Sequence, residues 1–172
     1  MSIILNPQIR KSIIALTDAN IKALPTTPIT LVAAPGSGFK ILPHIVHIQI
    51  NDAAGVYTNI NATYAACFLY YLGDTSQWTN IGIVDDSVYT LTGFTSMFAV
   101  AGIHSKTLPP YTDTPTDGNT GVDWVSANTI GSTLYDNKAL AIAMDNNGSG
   151  VLTGGNAANS GKVTIYYTIE AL

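Results

Sequence analysis

Short runs of β-branched and aromatic residues, separated by clusters of Gly, Pro, Asn and Asp, recur along most of this chain. Branched and aromatic side chains pack well on a pleated sheet, and the separating residues favour turns. Sustained helical periodicity is nearly absent from the sequence. Strands are therefore predicted at residues 29–34, 39–51, 64–72, 81–84, 95–103, 138–144 and 162–169.

The last of these runs, residues 162–169, alternates in character from one residue to the next. Successive side chains of a strand point to opposite faces, so the alternation predicts one face toward the core and one face outward. The first set comprises Val163, Ile165, Tyr167 and Ile169, and the second comprises Lys162, Thr164, Tyr166 and Thr168.

Two local signals precede the first long strand. Residues 17–24 carry Thr17 and Asp18 as possible caps and are followed by Pro25, which predicts one short helix. Residues 35–38, Pro-Gly-Ser-Gly, separate two predicted strands and therefore predict a hairpin turn. Later in the chain, residues 105–121 and 145–161 are rich in turn residues. We expect them to be long connections that serve as contact surfaces.

These elements predict an all-β fold in a single domain. The length of 172 residues fits one hydrophobic core, and seven or eight strands with turns between them are typical of a sandwich. We predict a single antiparallel β-sandwich, jelly-roll-like, with one short helix near the N-terminus. Residues 17–172 would form this sandwich, and residues 1–16 would form an N-terminal arm or an edge strand.

The composition favours assembly over an isolated monomer. Hydrophobic residues make up 47% of the chain and charged residues only 10%, less than half of the roughly 25% usual in soluble domains. Thr, Asn, Ser and Gly take the place of the missing charges. Such a surface can pack against neighbours without the cost of desolvating ions.

Several classes of partner are disfavoured by the same sequence. A net charge of -4 with seven scattered basic residues argues against a nucleic-acid partner, which requires clustered Lys and Arg. Asn6, Pro7 and Gln8 interrupt the apolar start, so no signal peptide is predicted. No stretch reaches the roughly 20 apolar residues that span a bilayer, so no membrane partner is expected.

Residues with catalytic or metal-binding potential are present without the patterns that such chemistry needs. His44 and His47 lie three apart on a predicted strand, so we expect them on opposite faces, and His104 lacks a spaced partner. Cys67 stands alone among apolar neighbours, which favours a buried residue. No Gly-x-Ser-x-Gly elbow occurs, and we expect neither an enzyme nor a cofactor.

One loop resembles the first half of a calcium-binding pattern. Asp145, Asn147, Ser149 and Gly150 follow the spacing that wraps a hard cation. Asn156 stands where the closing bidentate Glu would be needed. A Gly-rich turn is therefore the preferred interpretation, and no metal site is predicted.

The candidate interaction residues are apolar or aromatic side chains at the chain start and in loops. The apolar residues of the arm are too apolar to be left in water, so we expect them to be buried, against a neighbouring subunit or their own core. They are Ile3, Ile4 and Leu5, then Ile9, Ile13, Ile14 and Leu16. Tyr111 and Trp124 lie in or beside loops, where aromatic residues anchor protein interfaces.

Two stretches of the chain resemble small virion proteins of tailed phages. Residues 17–40, TDANIKALPTTPITLVAAPGSGFK, resemble the opening of that group, and residues 152–169, LTGGNAANSGKVTIYYTI, resemble its close. The resemblance implies a non-enzymatic β-sandwich that forms a homo-oligomer, most simply a trimer, and resides in the virion after assembly in the host cytoplasm. Its partners would be the major capsid protein or other virion proteins.

Three functions remain open from the sequence. The leading one is a capsid decoration or cement protein that bridges capsid subunits. The second is a tail, baseplate or fibre component involved in host attachment. The third, of another class, is a carbohydrate-binding module that uses exposed Trp78 or Trp124.

Overall fold

The computed structural model describes residues 8–60, 66–72, 102–108, 136–145 and 150–172. There the chain is mostly strand with very little helix, and all paired strands are antiparallel, which confirms the all-β prediction. The elements in chain order are β1 Arg10–Thr17, α1 Asp18–Ala23, β2 Ile29–Val32, β3 Phe39–Asn51, β4 Tyr57–Thr58, β5 Ala66–Tyr71, β6 Ile103–Leu108, β7 Leu140–Asp145, β8 Thr153–Gly154 and β9 Ser160–Ala171.

These strands form three sheets, none of which closes on itself. The largest has the order β1-β9-β3-β6, the second has the order β2-β7-β5, and β4 pairs with β8 alone. Residues 10–17 at the chain start therefore form an edge strand, and β9 is their partner. The strand predicted at residues 81–84 lies outside the described residues. The strand predicted at residues 95–103 does so as well, apart from its last two residues. In the part of the chain that is described, no helix has the length and apolarity needed to cross a membrane.

Helix α1 confirms the predicted short helix and its cap. The Thr17 hydroxyl accepts a hydrogen bond from the Asn20 backbone N–H at 3.2 Å, and the Thr17 N–H donates to Asn20 Oδ1 at 3.0 Å. This reciprocal capping satisfies donors that the helix start would leave unpaired. Asp18 in the first turn also forms an ion pair with Lys22 at 2.7 Å.

The predicted hairpin at residues 35–38 is wrong. The strands on either side belong to different sheets, since β2 pairs with β7 whereas β3 pairs with β9 and β6. The turn chemistry itself is present, because Gly36 and Gly38 have φ values of 105° and 81°. Their N–H groups donate to the side chains of Asn137 and Asp136, so this turn docks on another loop while the chain changes sheet.

The boundary of the long connection predicted at residues 105–121 also needs correction. Its first four residues belong to strand β6, which pairs with β3 from Val46↔Leu108 to Asn51↔Ile103. The sequence Ser-Lys-Thr-Leu at residues 105–108 has weak strand preference of its own, and pairing with the long apolar strand β3 overrides that preference. The connection predicted at residues 145–161 likewise contains β8 and the start of β9.

In the described residues, the main cluster of buried side chains draws on both of the larger sheets. The four-stranded sheet contributes Val46, Ile48, Ile50, Val163 and Ile165, and the three-stranded sheet contributes Leu31, Val32, Leu140, Ile142 and Met144. A smaller one contains Ala141 and Ala143 of β7. Val163 and Ile165 are fully buried, which confirms the core face predicted for the last strand. Each such side chain contributes about 1.5 to 3 kcal/mol on burial.

Candidate interaction surface

The register of the four-stranded sheet defines an inner and an outer face. Ile14 of β1, Val163 of β9 and Ile48 of β3 lie side by side toward the core. The neighbouring rows must point the other way, because successive side chains alternate across a strand. We call this side the outer face, and it comprises Lys11, Ile13 and Ala15 of β1, Lys162, Thr164 and Tyr166 of β9, and Ile45, His47 and Gln49 of β3.

The outer face exposes large apolar side chains. Ile13 is 54% exposed and Ile45 is 42% exposed, and Ile9, just before β1, is 69% exposed. Single exposed apolar residues are common, but several on one sheet face are typical of an interaction site. Thr164 in the centre of this face is buried, because it lies between Ile13 and His47 on the flanking strands.

The charges at the nine positions named for the outer face are both positive, on Lys11 and Lys162. Farther along β9, Glu170 lies on the same side of the sheet, opposite the buried Lys40 of β3. The Lys11 ammonium lies 5.5 Å from the centre of the Tyr166 ring, which holds the side chain back over β9. A contact of this kind contributes about 0.5 to 1 kcal/mol at an exposed site.

Strand β1 presents an open edge on the side away from β9. Among the described strands, β9 is the only one that pairs with β1. Its eight residues pair continuously from Arg10↔Tyr167 to Thr17↔Ser160, without a bulge, and include neither Pro nor Gly. Bulges, prolines, short length and charged side chains are the usual devices that protect an edge strand. Strand β1 carries charges at Arg10 and Lys11 alone, so its edge from Ser12 onward is suited to pairing.

A polar cluster beneath α1 joins the helix to the small β4–β8 sheet. The Tyr57 hydroxyl lies beside the amide of Asn159 and the carboxylate of Asp18. Burial raises the pKa of Tyr57 well above its ordinary value. The Asn159 amide offsets part of this shift, and the negative charges of Asp18 and Asp52 add to it. The Tyr57 phenol therefore stays protonated at neutral pH, and the cluster joins α1 to the β4–β8 sheet.

Glycine is required at position 155, at the centre of this polar cluster. Gly155 has a φ of 68°, and a Cβ at this position would lie 2.6 Å from Asp18 Oδ1 and 2.7 Å from Tyr57 Cε1. The Asn159 amide also donates to the Gly55 carbonyl at 2.7 Å. These contacts bring the turn before β9 against the start of α1.

The two histidines of β3 lie on the same face, so the prediction of opposite faces is wrong. A bulge between Pro43 and Ile45 inserts His44 as an extra residue and shifts the alternation. His44 Nε2 lies 3.2 Å from the hydroxyl of Thr168, which alternates onto the outer side of β9. His104 is in β6 opposite Ile50. In the described ranges, no three His, Cys, Asp or Glu side chains group as metal ligands would.

The interaction residues predicted from the sequence lie outside the described residues. This holds for Ile3, Ile4, Leu5, Tyr111 and Trp124, and for Trp78 of the carbohydrate-binding alternative. Within the loop compared with a calcium site, residues 146–149 are also outside the described ranges. These assignments stay predictions.

The structure decides which apolar residues of the arm are buried in their own core and which stay exposed: Leu16 is buried and Ile14 packs against the core, whereas Ile9 and Ile13 are exposed. Ile13 and Ile14 are adjacent apolar residues, and the sequence does not show which of them faces outward. The outward position of Ile45 depends on the bulge at His44, which no local signal predicts. The alternation of β9 already placed Tyr166 on the face opposite Val163 and Ile165, and the register confirms it, although Thr164 and Thr168 on that same face are buried.

Comparison with known protein families finds none that matches the chain, and no curated protein matches it either. A function is therefore inferred from the chain's own residues and their arrangement.

Proposed function

We propose that this chain is a non-enzymatic structural subunit of a tailed-phage virion, and that its leading role is capsid decoration. The observation that carries the proposal is the outer face, where Ile13 and Ile45 are exposed on a chain with only 10% charged residues. Apolar side chains exposed together favour a surface that becomes buried in an assembly. The resemblance of residues 17–40 and 152–169 to small virion proteins supplies the context.

The fold that we propose for this role is a β-sandwich of the jelly-roll type. Two antiparallel sheets that bury side chains in one common core support a sandwich. The crossing of the chain between sheets at Gly36 and Gly38 supports a topology more complex than consecutive hairpins. Such a body is compact and rigid, as a protein that seals seams between neighbours needs to be.

The mechanism of decoration rests on contact area and shape. A subunit on the outside of the shell bridges neighbouring capsid proteins, and each apolar side chain buried at the contact opposes their separation. A nearly uncharged surface lowers the cost of this burial, because few ions must lose water. The same surface would hold the protein's own copies together as a homo-oligomer.

Quantifying the protein in purified particles tests this proposal. A decoration protein is expected in a copy number comparable to that of the major capsid protein, measured by quantitative gel densitometry or mass spectrometry. Antibody labelling in electron microscopy should place it on the head. A few copies per particle, labelled at the tail tip, would instead assign it to the tail, baseplate or fibre. Absence from particles would contradict a virion role altogether.

A further inference from the structure

We propose that the open edge of β1 pairs with β1 of a second copy of this chain across a two-fold axis at Ile13, joining two four-stranded sheets into one. The inference deepens the proposed function, because it names the surface and the partner through which the subunit assembles. It rests on the assembly role but not on the place of the protein in a particle.

The edge provides the backbone groups that such pairing needs. Within the described part of the chain, the ladder to β9 occupies one side of β1 and no strand pairs with the other side. The nearby β2 contacts β1 through a side chain, since the Ser12 hydroxyl donates to the Leu31 carbonyl at 2.9 Å. Strand β1 has eight residues, without a bulge and without Pro, and is therefore longer than the average strand of about 5 to 6 residues. The charge on Lys11 does not guard the edge, because its ammonium lies over the Tyr166 ring of β9.

The two faces of the sheet restrict the possible register. Directly opposite residues of an antiparallel pair lie on the same face, so an outer-face residue must meet an outer-face residue. A register that places Ile13 opposite Ile14 is excluded, because it would set an outer-face residue against an inner-face residue. Placing the axis at Ile13 sets Lys11 opposite Ala15 and Ser12 opposite Ile14, which keeps both faces continuous.

The charges on β1 favour the same register. Arg10 and Lys11 lie at one end of the strand, and the other end, from Ala15 to Thr17, is uncharged. Antiparallel pairing about Ile13 sets each basic end opposite the uncharged end of the copy. The two Lys11 positions are then four residues apart along the strand, about 13 Å, beyond the Debye length of about 10 Å at 0.1 M salt. An axis at Lys11 would instead set the two lysines directly against each other.

The exposed apolar residues favour a second copy as the occupant. Ile13, 54% exposed in one chain, would pack against its own counterpart at the axis, and Ile9, 69% exposed, would lie opposite Thr17 of the copy. An axis at Ile14 would centre the contact on a side chain already packed against the core. Cross-strand apolar pairs of this kind each stabilise a sheet by about 0.2 to 1 kcal/mol.

Cysteine crosslinking of the full chain tests the contact directly. In a Cys67→Ala background, Ile13→Cys would place two thiols on the axis, where opposite Cα atoms are about 4.5 to 5.5 Å apart and a disulfide can form. Mild oxidation at micromolar protein should convert most of the chain to a dimer on a non-reducing gel. The matched control is Ile103→Cys, which is also exposed, at 67%, but lies on β6 at the opposite edge of the same sheet. It should stay uncrosslinked.

Light scattering of the Cys67→Ala protein completes the test. A two-fold contact closes with two copies, so a mass of two chains, or of six in a pair of trimers, agrees with the inference. A mass of three chains, or an uncrosslinked Ile13→Cys in a protein that is not a monomer, would overturn the strand contact and leave the virion role intact. If Ile13→Cys crosslinks efficiently but the protein is absent from purified particles, the virion role is contradicted and the contact between the two β1 strands is supported.

Discussion

Tyr57 of strand β4 is buried, and its hydroxyl lies beside the side chains of Asp18, at the start of α1, and Asn159, just before β9. Burial raises the pKa of this phenol above its ordinary value near 10, so the folded state holds the proton more tightly than the unfolded chain does. The stability from this group is fully present below about pH 10 and is lost as the pH rises toward the folded-state pKa.

Replacing Tyr57 by Phe should therefore change the alkaline response of the protein. We expect a loss of about 1 to 2 kcal/mol at neutral pH, because the Asn159 and Asp18 groups lose a buried partner. Above pH 10 the stability of the variant should fall less steeply than that of the parent chain. Urea unfolding at several pH values measures both effects, with Tyr166→Phe on the outer face as the control. An unchanged slope above pH 10 would contradict the role of the buried phenol.

Gly155 permits the close approach of the turn and the helix. Gly155→Ala should destabilise the fold by about 2 to 4 kcal/mol, since the new Cβ meets both a left-handed backbone and the Asp18 and Tyr57 side chains. Gly150→Ala is the matched control, because Gly150 has a similar φ of 75° and nothing within 4 Å of the added Cβ. Thermal unfolding should show a clearly smaller loss for the control. Equal losses would mean that backbone conformation alone accounts for both.

At the scale of elements, regular local chemistry was predictable and tertiary choices were not. The capping signal at Thr17 and the alternation of β9 both follow from patterns within a few residues, and the structure confirms them. The partner of β2 depends on which sheet the chain enters after Gly38, and no local pattern encodes that. Similarly, the bulge at His44 is set by pairing with β9, so the faces of the histidines were predicted wrongly.

The cap of α1 carries much of the stability of a helix only six residues long. Thr17→Ala removes the acceptor for the Asn20 N–H and should cost about 1 kcal/mol. Thr27→Ala, at an exposed bend beyond the helix, should change the free energy of unfolding by less than about 0.5 kcal/mol. Chemical denaturation compares the two variants. A negligible effect at Thr17 would show that packing of Ile21 alone holds the helix in place.

The whole molecule combines a sparse charge content with a sheet face that exposes apolar residues and a strand edge that pairs with no described strand. Composition alone predicts a tendency to assemble, and the sequence assigned the contact both to residues outside the described ranges, such as Ile3 and Trp124, and to Ile13 of the arm. The outer face around Ile13 became apparent only from the strand register, because the adjacent isoleucines of β1 are indistinguishable in sequence.

The mass of the isolated protein in solution shows whether this chain assembles with its own copies. Multi-angle light scattering over a dilution series into the low micromolar range should give a mass above that of one chain, because the exposed isoleucines favour burial against a copy. A mass of 18.1 kDa throughout the series would contradict self-assembly and the interface inferred at β1.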